Sequence, residues 1–92
     1  MKFYVIMASL NPGLTITDVQ NFLTAWSINY YRIAPNVWLV ASSFSADMLA
    51  ELLKPLTTPG GNLFVTRVDP TDKGGMMVPD VWAWIRNNGG GP

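Results

Sequence analysis

The sequence predicts an α+β domain in which two helices pack on one four-stranded antiparallel sheet. Short segments rich in apolar and β-branched residues alternate with segments whose apolar residues recur at helical spacing. The order along the chain is strand, helix, strand, strand, helix, strand. This order is the ferredoxin-like βαββαβ plan, in which both helices lie on the same face of the sheet.

The first strand and the first helix each have a clear terminus in the sequence. The apolar run Phe3–Ala8 reaches Ser9 and then a Leu-Asn-Pro-Gly turn at 10–13, which ends a strand because proline donates no ladder hydrogen bond. Thr15 and Asp18 have the spacing of a helix N-cap and the acidic residue that completes it. The following helix has an apolar stripe formed by Ile16, Val19, Phe22, Leu23 and Trp26.

A hairpin and a second helix follow. Strands are predicted at 27–34 and 37–43, joined at Pro35-Asn36 as a short antiparallel hairpin. Ser45 caps the second helix, which ends at Lys54 because the residue before a proline disfavours helical geometry. The predicted buried stripe of this helix consists of Met48, Leu49, Leu52 and Leu53.

The last third of the chain carries the fourth strand and an extension. The strand is predicted at 63–68, and Met76–Val78 is expected to add a short strand after a polar loop. Pro79 suits the first position of a last helix that ends near Asn87. The expected buried side of that helix comprises Val81, Trp82 and Ile85.

The composition indicates one small domain that needs help from a partner. Residues 1–88 are expected to form a single domain, and residues 89–92 a flexible glycine-rich tail. A chain of 92 residues buries only roughly 60 to 65% of its unfolded surface, so its core is thin. Four tryptophans in so short a chain place some aromatic surface at an interface.

Charge and residue types narrow the function classes. Six basic and six acidic residues give no broad electrostatic footprint for nucleic acid. Without cysteine or histidine the chain has neither a thiolate nor an imidazole metal ligand, and we expect no cofactor. The apolar runs are strand-sized and the N-terminus lacks a secretory layout, so we expect a cytoplasmic protein with no membrane contact.

Five segments in this order form a wider pattern: the first strand with Leu10-Asn11-Pro12-Gly13, the strand Val37–Val40, the helix from Ser45-Ala46 to Leu53-Lys54-Pro55, the strand Leu63–Val65, and Pro79–Asn87 with Trp82 and Trp84. Together they resemble the family of small ferredoxin-fold proteins related to Cas-two, the CRISPR spacer-acquisition subunit, and its SinR-like relatives. The resemblance implies a symmetric homodimer whose C-terminal segment reaches across to the partner.

The same resemblance implies a site that this chain has altered. Catalytic members carry an aspartate, usually after an aromatic residue, at the end of the first strand, where two copies hold one divalent metal. Here that pair is Ala8-Ser9, and a neutral hydroxyl supplies no charge to a magnesium ion. We therefore expect a non-catalytic homodimeric interaction module, belonging to a defence system or acting as a phage counter-defence inhibitor.

Two other functions remain open. A metal-dependent endonuclease acting on RNA or DNA would use Asp69 and Asp72 to hold Mg²⁺, with Ser9 as a further candidate residue, although turn-forming aspartates that bond their own backbone explain this pair more simply. A single-stranded nucleic-acid or nucleotide-binding protein would stack bases on Tyr30 and neutralise phosphates with Arg32 and Arg67, although the neutral net charge disfavours it.

The C-terminal segment predicts an interface with another protein. Its candidate contact residues are Met76, Met77, Val78, Trp82 and Trp84. Trp82 and Trp84 are two apart on a helix and so point about 200° apart, which predicts that one indole meets another chain. That chain is either the dimer mate or a foreign protein.

Overall fold

The computed structural model describes residues 1–90 as an α+β fold with one four-stranded antiparallel sheet, as the sequence predicts. The strands are β1 (Lys2–Ala8), β2 (Asn29–Ala34), β3 (Val37–Ser42) and β4 (Leu63–Val68). The helices are α1 (Ile16–Ala25), α2 (Ala46–Leu53) and α3 (Pro79–Asn87), with a 3₁₀ turn at Lys54–Leu56. The sheet order is β2-β3-β1-β4, so β1 and β3 are central and β2 and β4 are edges.

Helices α1 and α2 cover one face of the sheet, called here the first face. Alternation along β1 and β3 points Tyr4, Ile6, Trp38 and Val40 toward them. The helices contribute the buried residues Val19, Leu23, Leu49 and Leu53, which belong to the predicted stripes. Trp26 and Met48 were also expected in those stripes, and both lie about half exposed at the margins of their helices.

The starts of α1 and α2 are capped by side chains, as the sequence predicts. The Thr15 Oγ1 accepts from the Asp18 N–H at 3.1 Å, and the Asp18 carboxylate accepts from the Thr15 N–H at 2.9 Å. The Ser45 Oγ accepts from the Met48 N–H at 3.2 Å. No helix within residues 1–90 is long and apolar enough to cross a membrane.

Helix α3 packs on the opposite, second face of the sheet. Its Val81 and Ile85 are buried against Phe3, Leu39 and Ala41. The two tryptophans flank this stripe and both contact the same cluster, with Trp84 edge-on to Phe3 at 5.7 Å between ring centroids. Both indoles contact one core because a helix lying on a sheet brings residues on both sides of its buried stripe into contact. The prediction that one of them meets another chain stays a prediction.

One expectation for the C-terminal region was wrong. Met76–Val78 forms no strand, because the chain leaves the sheet after β4 and runs exposed to Val78, the N-cap of α3. Gly89 and Gly90, the first residues of the predicted flexible tail, hydrogen-bond to the end of α3. Gly89 has φ +88° and bonds to the Arg86 carbonyl, and the Gly90 N–H donates to the Ile85 carbonyl at 2.8 Å. Gly91 and Pro92 lie outside the described residues.

Candidate interaction surface

Helix α3 leaves one end of the second face uncovered. The strand registers place Met7 between Val37 and Phe64, and these three side chains form what we call the open row. Alternation puts them on the same face as Phe3 and Leu39, but beyond the reach of α3. Met7 is 50% exposed and Phe64 is 58% exposed, although both belong to regular strands. An apolar row on rigid backbone is typical of an interaction surface.

An open cleft borders this row. Its volume is about 550 Å³, and it is lined by Met7, Ala8, Ser9, Asn36, Val37, Asn62, Leu63 and Phe64. No ionisable side chain is among these residues. The cleft is therefore suited to apolar and hydrogen-bonding contacts rather than to ionic ones.

Ser9, the residue at the position of the expected aspartate, lies at the end of this cleft and holds two segments together. Its Oγ accepts from the Asn62 N–H at 3.3 Å, and its N–H donates to the Asn62 carbonyl at 2.8 Å. Its carbonyl accepts from the Thr58 N–H at 2.8 Å. A Cβ at Gly61 would lie 3.0 Å from the Ser9 Cβ, so the loop needs glycine there. Ser9 thus joins β1 to the loop before β4.

The turn after Ser9 also has a structural partner. The Asn11 N–H donates to the Leu56 carbonyl at 2.9 Å, and its side-chain amide donates to the Pro55 carbonyl at 3.0 Å. The Thr58 hydroxyl donates to the Leu10 carbonyl at 2.8 Å. Residues 10–13, one of the segments that carried the family resemblance, therefore hold the end of β1 against residues 55–58, which follow α2.

Asp69 and Asp72 lie in one exposed turn after β4. The Asp69 Oδ1 accepts from the Thr71 hydroxyl at 2.6 Å and from the Thr71 N–H at 2.9 Å. These two hydrogen bonds hold the pKa of Asp69 below its ordinary value. The Asp72 N–H donates to the Asp69 carbonyl at 3.2 Å, so both residues take part in the turn. Within residues 1–90, no group of three acidic side chains is placed to share a metal ion.

The three residues proposed for nucleic-acid binding lie on opposite edges of the sheet. Tyr30 and Arg32 belong to β2, whereas Arg67 belongs to β4, with β3 and β1 between them. Tyr30 packs against the core of the first face, and the Arg32 guanidinium donates to the Pro35 carbonyl at 3.3 Å. The structure does not bring the three side chains together, and the prediction that they bind nucleic acid stays a prediction.

The predicted C-terminal contact residues fall into two groups. Met76, Met77 and Val78 are exposed, Met76 almost completely at 98%. Trp82 and Trp84 are half-buried beside the second-face core, and Trp84 also lies edge-on to Tyr31 at 6.4 Å between ring centroids. Only the first group offers a largely free apolar surface.

The open row was missed from the sequence, since Met7 and Phe64 each resemble ordinary strand residues. Only the pairing of β1 with β4 puts them side by side. Comparison with protein-family models, with curated proteins and with solved structures finds no match to this chain.

Proposed function

We propose that this chain is a non-catalytic homodimeric interaction module whose contact surface includes the open row. The observation that carries the proposal is the exposure of Met7 and Phe64, adjacent on two paired strands. Full burial of such a side chain contributes about 1.5 to 3 kcal/mol, so covering the exposed half of both favours association by roughly 2 kcal/mol per protomer.

The non-catalytic part of the proposal is supported by what the candidate catalytic groups contact. The Ser9 hydroxyl accepts from the Asn62 backbone, and the Asp69 carboxylate accepts twice from Thr71. Each group thus stabilises a local chain segment. The presence of serine at position 9 and of aspartate at position 69 is therefore explained by a structural role alone.

We further propose the finer fold assignment, a ferredoxin-like arrangement. Read from the opposite edge, the strand order is β4-β1-β3-β2, and the two crossover helices α1 and α2 share one face. Both features support this plan. The relation to the Cas-two and SinR-like family, with a role in a defence system or in counter-defence, is part of the same proposal and rests on the sequence resemblance.

The test compares two substitutions of equally exposed apolar residues. Phe64→Asp places a charge in the open row, and Met48→Asp is the matched control, because Met48 is 50% exposed on α2 at the first face. Sedimentation velocity over a wide concentration range is expected to show a dimer for the native chain and for Met48→Asp, and a monomer for Phe64→Asp. A native chain that stays monomeric throughout refutes the homodimer.

A further inference from the structure

The outer edge of β4 carries unpaired backbone groups. The Ser9 N–H donates to the Asn62 carbonyl, and antiparallel ladders alternate, so Phe64, Thr66 and Val68 direct their backbone groups to β1. The N–H and C=O groups of Leu63, Val65 and Arg67 therefore point outward. Within residues 1–90, no hydrogen bond from another segment reaches them. The edge is a ready template for one more strand.

The other edge of the sheet is protected. The ladder between β2 and β3 shifts register between Arg32 and Ala34, and such a bulge disrupts pairing with a further strand. The Arg32 side chain also turns back to the Pro35 carbonyl. β4 has no such irregularity over its six residues, so it is the edge suited to pairing.

We infer that a second copy of this chain pairs along β4, with the two β4 strands antiparallel about a two-fold axis at Val65. The inference rests on the proposed homodimer and names its contact, which differs from the dimer arrangement that the family resemblance implies. Val65 then faces Val65 of the partner subunit, and Leu63 faces Arg67 of the partner subunit. The outward groups of both strands form about six backbone hydrogen bonds, and the two sheets become one of eight strands.

Antiparallel pairing also keeps like charges apart. Arg67 is the sole charged residue of β4, so a dimer paired along this strand carries two arginines at the contact. Antiparallel pairing about Val65 separates them by four residues, or about 14 Å along the strand, which exceeds the screening length of roughly 8 Å.

The same register uses Phe64, the residue of the open row that lies on β4. Phe64 lies opposite Thr66 of the partner subunit in a pair without hydrogen bonds, where the side chains are closest. The two Phe64 rings then lie on either side of the axis on the second face. The surface exposed at 58% in one chain is covered in part by the other.

Cysteine cross-linking tests the register, because the native chain has no cysteine. Directly opposite residues in such a pair have Cα atoms about 4.5 Å apart, within disulfide range. We expect oxidation of an equimolar mixture of Phe64→Cys and Thr66→Cys to give several-fold more disulfide dimer than either variant alone. Equal cross-linking in the single-variant samples overturns the proposed register.

Proline at the edge provides a second test. Arg67→Pro removes an outward N–H without breaking the ladder to β1, and the matched control Arg32→Pro removes an arginine from the other edge. Circular dichroism verifies folding, and sedimentation is expected to show a monomer for Arg67→Pro and a dimer for Arg32→Pro. A native dimer that neither cross-links as expected nor dissociates in Arg67→Pro overturns the β4 contact and leaves the homodimer standing. A monomeric native chain overturns both.

Discussion

The hydroxyl of Tyr4 offers a sharp test of how the central strand is held. It donates to the Phe44 carbonyl at 2.8 Å, and Tyr4 is 2% exposed, so water cannot replace the bond. Tyr4→Phe removes the donor and leaves a part-buried acceptor unpaired. One hydrogen bond contributes about 0.5 to 1.5 kcal/mol and an unsatisfied partner adds to the loss, so we expect destabilisation of about 1.5 kcal/mol.

Urea unfolding followed by circular dichroism measures this loss. At a slope of about 1 kcal/mol per molar urea for so short a chain, the midpoint falls by roughly 1.5 M. Tyr31→Phe is the matched control, because within residues 1–90 its hydroxyl makes no hydrogen bond, and its midpoint is expected to stay within about 0.5 M of the native value. Equal shifts for the two variants refute the role assigned to the Tyr4 hydroxyl.

Three further predictions concern the helix cap, the acidic turn and the end of β1. Thr15→Ala is expected to cost about 1 kcal/mol in urea unfolding, whereas Thr17→Ala, with no capping bond, stays near neutral; equal losses contradict the capping box. Thr71→Val is expected to raise the pKa of Asp69 toward its ordinary value in an NMR carboxyl titration, and an unchanged pKa refutes this cause. Because that pKa is depressed in the fold, the associated stability is present above the unfolded pKa and is lost as pH falls through the folded one. Ser9→Asp is expected to show no Mg²⁺-dependent rise in Tm, since pairing along β4 holds residue 9 of one subunit more than about 20 Å from residue 9 of the other. A rise in Tm with Mg²⁺ would instead favour a dimer in which both copies of residue 9 lie at the two-fold axis.

The ends of helices and strands could be predicted closely where glycine or proline marks them in the sequence. β4 and α3 begin and end where expected because a Gly-Gly loop precedes the strand and Pro79 starts the helix. Gly89 was missed because its closing role depends on a positive φ and on bonds back to α3. Asn88-Gly89 after a helix is the local signal that favours such a cap.

The candidate surface could not be predicted to the same extent. A turn was the simpler interpretation of Asp69, and it was correct, since the aspartate side chain accepts a hydrogen bond from the backbone N–H two residues ahead. The open row depends on strand register and on how far α3 extends over the sheet, and neither is encoded in a local pattern. Met7 and Phe64 become neighbours only when β1 and β4 pair.

The central position of β1 has a consequence for the order of folding. Its two neighbours, β3 and β4, lie about 35 and about 60 residues downstream, whereas β2 and β3 join through a two-residue turn. Closing the longer loops costs more chain entropy, so the hairpin can form while β1 is still unpaired. During synthesis, β1 is made before the other three strands, and both of its edges are paired only after β4, close to the end of the described chain, has been made.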